Sequence, residues 1–198
     1  MFKSHLQLVE ELKQYSSPKA KITRMINSKE IIQIKRGIFL DADDDTYSLN
    51  SLSSVIYGPS YISFQGAMSF YGIIPERVKI ITCASYNKNK NKVFQTPVSN
   101  FYYYPVPTRV YPYCVTTMEE NDQKFIIASP EKAICDSLYK VRNITTEEDL
   151  INLLVEDWRI DLDVIKNLNR KSFKFLLPLY EKQTCNLFEK LLERLVYA

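Results

Sequence analysis

Residues 58–76, GPSYISFQGAMSFYGIIPE, carry one formal charge, Glu76, in nineteen positions and hold three of the chain's four glycines. In a chain that is 25% charged, so apolar a stretch points into a core. Phe64, Ala67, Met68 and Tyr71 recur at i, i+3, i+4 and i+7, which is one stripe of a helix. Ser63 is placed to cap its start, with Ser60 as the competitor. Gly72 stands where a left-handed C-terminal cap belongs, and Pro75 stops the chain from continuing as a helix. Gly66 lies inside the helix at a cost of roughly 1 kcal/mol relative to Ala, which is tolerable where another backbone packs closely. The stretch predicts a buried helix punctuated at both ends; a ligand groove is the alternative.

The rest of the 198-residue chain supplies the core around it. A hydrophobic content of 45% is that of an ordinary globular protein. No apolar run approaches the roughly 20 residues of a membrane span, and MFKSHLQLVEELKQY has no signal-peptide core, so no membrane partner is expected. Cys83, Cys114, Cys135 and Cys185 are too few and too scattered to staple a chain of this length, which predicts a reduced, cytoplasmic setting. Charge is unevenly spread. Residues 1–40 hold eight Lys/Arg against three Asp/Glu, whereas 41–50 hold four Asp and no base.

Hydrophobic spacing predicts a helix over about 4–15 behind a Ser4 cap, and a second starting at Ser17 and Pro18 with Ile22, Met25 and Ile26 on one face. Alternation in EIIQIKRGIFLD predicts two strands around Arg36-Gly37. Helix, basic helix and hairpin is the order of a winged-helix module. DADDDTYSLNS reads as the exit from the hairpin and a linker. Asp41, Asp43 and Asp45 match the alternating ligands of a calcium loop, but Thr46 and Leu52 stand where its glycine and closing glutamate belong, so a solvated acidic turn is expected. Five short segments between 78 and 128 read as strands, and NKNKNK at 87–92 as a solvated loop. Ser129 and Pro130 open a helix with Ile134, Leu138 and Val141 on one side. Beyond 143 the pattern is helical, with a capping box at Thr145 and Glu148, buried Leu150, Leu153, Leu154 and Trp158, a short helix from Asp161, and two more over SFKFLLPLY and TCNLFEKLLERLV.

Catalytic equipment is sparse. His5 is the single histidine, which excludes most zinc sites and weakens any Ser-His or Cys-His nucleophile. No phosphate-cradling glycine pattern occurs. Glu131 and Asp136 are five apart on one helix, so their side chains diverge. A non-enzymatic protein without metal or cofactor is the expectation. Two constellations suit binding instead. Lys19, Lys21 and Arg24 suit phosphate contacts, Thr23 and Asn27 base edges, and Lys35 and Arg36 the tip of a wing; the alternative is a solvated charged helix. The run NFYYYPVPTRVYPY offers aromatics with Arg109 for stacking single-stranded RNA, although Phe101 and Tyr103 must face away from Tyr102 and Tyr104 in a strand, so at least one pair is expected in the core.

Three stretches in one order, IIQIKRGIF, YGPSYISFQGAMSFYGIIPE and IASPEKAICDSLY, resemble the AbiEi-type antitoxins of bacterial abortive-infection (type IV) toxin–antitoxin systems. The resemblance spans roughly residues 30–140. It implies an N-terminal winged helix that binds inverted repeats in the protein's own promoter, making the chain a transcriptional autorepressor. It implies a C-terminal α+β domain carrying antitoxin activity against a nucleotidyltransferase-like toxin encoded next door, without a stable complex between the two. KITRMINSKEIIQIKRGIF matches the recognition helix and wing. Family members usually have three helices before the wing, and residues 15–18 here leave room for no middle helix. The expected architecture is α+β: a shortened winged-helix-like module at 1–47, a sheet-and-helix domain at 48–142, and a helical tail at 143–198 packed on it. An RNA-binding module using strand 101–104 is the alternative function.

Overall fold

The computed structural model describes residues 2–76 and 80–195. Its first unit is β1 (Lys3–Ser4), α1 (His5–Glu11), α2 (Pro18–Asn27), β2 (Ile31–Lys35) and β3 (Ile38–Asp41). The three strands form one antiparallel sheet in the order β1-β3-β2, with Gly37 at φ +83° in the hairpin turn. Ser4 caps α1 through a reciprocal box with Gln7. α1 ends at Glu11 rather than near residue 15, and the chain then turns before Ser17 restarts it. Only two helices precede the hairpin, as the short spacer requires. Leu8, Ile22, Ile31 and Phe39 make a small core of their own. Ile34 and Leu40 instead join the main core.

Between this unit and the punctuated stretch lies a helix that the sequence did not announce, α3 (Leu49–Ile56). LNSLSSVI has three serines, which compete for backbone hydrogen bonds and lower helix propensity. Here Ser48 caps the start, while Ser53 and Ser54 bond back to the carbonyls of Asn50 and Ser51. Leu52 and Ile56, buried in the main core, supply the tertiary packing that overrides propensity.

The second sheet has six strands in the order β6-β7-β5-β4-β9-β8. They are β4 (Ser60–Ile62), β5 (Ile81–Ser85), β6 (Lys92–Gln95), β7 (Asn100–Pro105), β8 (Val115–Glu120) and β9 (Gln123–Ala128). β4 is a second unannounced element, and it places Ser60 in a strand rather than at a cap. The part of the predicted strand at 78–79 lies outside the described residues, as does the end of the final predicted helix at 196. α4 (Phe64–Phe70) follows β4 and packs against α5 (Pro130–Lys140). The tail comprises α6 (Glu147–Asn152) with a π-helical turn over Leu153–Asp157, α7 (Leu162–Asn167), α8 (Arg170–Leu176) with a 3₁₀ turn over Leu177–Tyr180, and α9 (Gln183–Arg194). The capping box of α6 sits one residue later than its sequence signal, at Thr146 with Asp149, whose carboxylate also accepts from Thr145. Trp158 is half-buried beside the buried Leu150, Leu153 and Leu154.

The opening stretch is framework. Phe64, Ala67 and Met68 are buried, and α4 closes with a paired cap in which Gly72 N–H reaches Ser69 and Ile73 N–H reaches Met68. Gly72 has φ +68°, and a Cβ added there would meet nothing within 4 Å. The cost of Gly72→Val is therefore one of backbone alone, about 1–2 kcal/mol for a side chain forced left-handed. Gly72→Asn should cost much less. Thermal melts of the two variants check this; a Val variant melting with the wild type would remove the cap assignment.

Candidate nucleic-acid interface

At 100° per residue, the inward stripe of α2 runs through buried Ile22 and half-buried Met25 and Ile26, so Ala20, Thr23, Arg24 and Asn27 face outward. Lys19 and Lys21 flank that face on opposite edges. Lys19, Arg24, Asn27 and Arg36 are exposed, and their side chains make no ion pair or hydrogen bond among the described residues. Lys21 is partly drawn inward, 3.7 Å from Glu30 and 5.7 Å above the Tyr15 ring. The Thr23 hydroxyl donates to the Lys19 carbonyl at 3.1 Å, which holds it against the helix yet leaves the side chain exposed.

Lys35, expected at the tip of a wing, is engaged within the fold. Its ammonium donates to the Ile56 carbonyl at the end of α3 at 2.7 Å and lies 4.9 Å from the Phe94 ring centroid. It ties the hairpin to the second unit, while its neighbour Arg36 stays free at the turn. This tie brings the hairpin beside edge strand β6. Tyr57 packs on Phe94 at 5.7 Å, and Lys88 stands 5.2 Å over Tyr57. The basic loop at 87–92, read from sequence only as solvated, thus lies on the hairpin's side of the molecule. Residues 80–118 contain four Lys/Arg and no Asp/Glu, a one-signed stretch that adds Lys88 and Lys90 to the candidate interface.

The tyrosine-rich strand divides as its alternation requires. Phe101 and Tyr103 are fully buried, and the Tyr103 hydroxyl donates to the Ser53 carbonyl at 2.6 Å. Tyr102 and Tyr104 are half-buried on the other side, with the Lys140 ammonium 3.1 Å from the Tyr104 centroid and Phe64 edge-on to it. That ammonium occupies the ring face a stacked base would need. Arg109 is likewise engaged, bonded to the Leu179 carbonyl and paired with Glu181 at 2.7 Å.

The most concentrated chemistry is sealed inside. Lys132 and Asp136, one turn apart on α5, are both 0% exposed and 3.0 Å apart. Asp136 also accepts from Tyr180 at 2.5 Å, Ser63 at 2.7 Å and Tyr61 at 3.0 Å, and Lys132 donates to Tyr180 at 2.7 Å. Ser63 stands at the start of α4 but gives its hydroxyl to this carboxylate rather than to the helix, which corrects its reading as a capping side chain. The network pins β4, α5 and the turn after α8 together, and all of its members are buried. Glu131 points away from it, accepting from Ser129 and from the Asn169 backbone. Burial pushes the thiols of Cys83 and Cys185 up to about 12 and that of Cys135 well above its usual range, so none is a thiolate at neutral pH. Among the described residues no group of three or more His, Cys, Asp or Glu is arranged to hold a metal ion, and no helix is long and apolar enough to cross a membrane. Comparison with known proteins finds no matching family model and no matching curated protein.

Proposed function

We propose that the chain is an antitoxin of a type IV toxin–antitoxin system that also represses its own promoter. The observation that carries the DNA-binding half is the outward face of α2. It presents Lys19, Arg24 and Asn27 unengaged on a helix-plus-hairpin unit with its own core, with Arg36 exposed at the hairpin turn and the basic loop at Lys88 and Lys90 on the hairpin's side of the molecule. Cations held by folding would not be free to replace the counterions of a phosphate backbone; these are. In this reading the helix enters a major groove, the hairpin turn rests near the backbone, and Lys35 orients the hairpin instead of touching DNA. The antitoxin half rests on the resemblance of the three sequence stretches, and its functional partner is a nucleotidyltransferase-like toxin acting without a stable complex.

Gel shifts on the protein's own promoter and on scrambled DNA, across a salt series, test the first half. Lys19→Ala with Arg24→Ala should weaken binding to both DNAs and lower the salt slope by about two units. Asn27→Ala should mainly reduce preference for the promoter, and Lys35→Met should lower the melting temperature more than the affinity. A wild type without promoter preference at low salt refutes autorepression. Growth rescue against the neighbouring toxin tests the second half, and the doubly substituted full-length chain should still rescue. Deleting residues 1–47 is the poorer experiment, because it strips Ile34 and Leu40 from the main core.

A further inference from the structure

The six-stranded sheet ends in two edges of opposite charge. β6 is exposed at Lys92, Val93 and Gln95, with Val93 48% accessible, and the loop feeding it carries Lys88 and Lys90. At the other end, β8 is exposed at Thr116, Thr117, Glu119 and Glu120, and the turn after it carries Asp122. The acidic linker adds to that side, since Thr46 and Ser48 bond to Gln123 and Glu120. Glu120 is thereby engaged, while Glu119 makes no ion pair among the described residues.

Charges on edge strands ordinarily guard against pairing with another chain. Lysines repel a second basic edge and glutamates a second acidic one. Neither guards the basic edge against the acidic edge. Strand direction also favours that union. β6 is antiparallel to β7, β7 parallel to β5, β5 antiparallel to β4, β4 parallel to β9, and β9 antiparallel to β8. β6 and β8 therefore run in opposite senses. A neighbour in the same orientation would set its β8 antiparallel to β6, and this register brings Lys92, at the start of β6, to the Glu119 end of β8. Lys90 and Lys88 then run beside the turn that holds Asp122.

We propose that copies of this chain associate head to tail, β8 of one continuing the sheet of the next at β6. The contact is heterologous and does not close on itself, so it gives a weak, concentration-dependent series rather than a fixed dimer. It shares Lys88 and Lys90 with the proposed DNA-binding surface, so association is measured without DNA. Sedimentation velocity of the full chain without DNA tests it. The weight-average sedimentation coefficient should climb with concentration at about 50 mM salt and stay flat at about 500 mM, where the screening length is only about 4 Å. Glu119→Lys with Asp122→Asn removes two carboxylates from the acidic edge and sets a lysine there, and Lys90→Glu with Lys92→Glu replaces two lysines of the basic edge with carboxylates. Each double variant alone should remain monomeric at low salt, and mixing the two should restore association. Hydrogen exchange should show new protection at 92–95 and 115–120 in the associated state. A flat coefficient for the wild type at low salt, association of either variant alone to the wild-type extent, or protection confined to other segments would overturn the proposal.

Discussion

Asp136→Ala should be among the most damaging single substitutions in the chain, at a cost of about 3–5 kcal/mol for breaking a buried ion pair from one side. The carboxylate accepts four hydrogen bonds in a site with no access to water. Removing it leaves the Lys132 ammonium fully buried with only the Tyr180 hydroxyl and the Tyr61 and Tyr180 rings around it. It also frees the hydroxyls of Tyr61 and Ser63, and an unpaired buried hydroxyl costs about 1–3 kcal/mol. For a chain of this size the melting temperature should fall by roughly 6–20 °C. Lys132→Met should cost less, because Asp136 keeps its three hydroxyl donors. Asp136→Leu combined with Lys132→Met should recover part of the Asp136→Leu loss, since no unpaired charge remains. Urea melts of the two single variants and the double variant measure this directly. A melting temperature for Asp136→Ala within experimental error of the wild type would mean that the network is not the pin described above.

The same cluster marks where sequence reasoning reached its limit. Where a residue's role is fixed by its near neighbours, the sequence was readable. Ser4, Pro18, Gly37, Gly72, Ser129 and Asp161 all sit at the element boundaries their local chemistry demands. The alternation in β7 likewise sorted buried Phe101 and Tyr103 from Tyr102 and Tyr104. Where a role depends on a distant partner, the local signal misled. Ser63 looks like a cap but is claimed by Asp136, 73 positions away. Lys132 looks like a surface lysine, because burial of a lone ammonium is prohibitive, and nothing local reveals the carboxylate and hydroxyl that make it acceptable. The i, i+4 spacing of Lys132 and Asp136 was the available hint. α3 was missed because its serines argue against a helix, and only contacts from distant strands decide otherwise. The outward exposure of Lys19, Thr23, Arg24 and Asn27 on α2 was legible from helical spacing. The inward role of Lys35 was not, because it depends on where Ile56 and Phe94 come to rest.

Gly66 is the position where local and tertiary reasoning give opposite signs. On propensity alone, Gly66→Ala should stabilise α4 by about 1 kcal/mol. The expected result is a net loss of about 2–4 kcal/mol, from overpacking and a disturbed hydrogen bond. A Cβ on residue 66 would stand 2.7 Å from the Thr82 hydroxyl oxygen and 3.3 Å from the Thr82 nitrogen. Thr82 cannot simply rotate away. Its hydroxyl accepts from the Gly66 N–H at 2.8 Å and donates to the Ser63 carbonyl at 2.7 Å, so moving it breaks both bonds. The backbone contact remains whatever the side chain does, because Thr82 lies in β5 at the centre of the sheet. Thr82→Ala should also destabilise, by leaving the Gly66 N–H and Ser63 carbonyl without this partner. Yet the further cost of Gly66→Ala in that background should be smaller by about 1 kcal/mol, since the nearest clash is gone. Urea midpoints with unchanged slopes would report these as differences in native stability. A Gly66→Ala variant more stable than the wild type would show that α4 can shift away from β5, and the close approach of helix to strand would then be incidental to the fold.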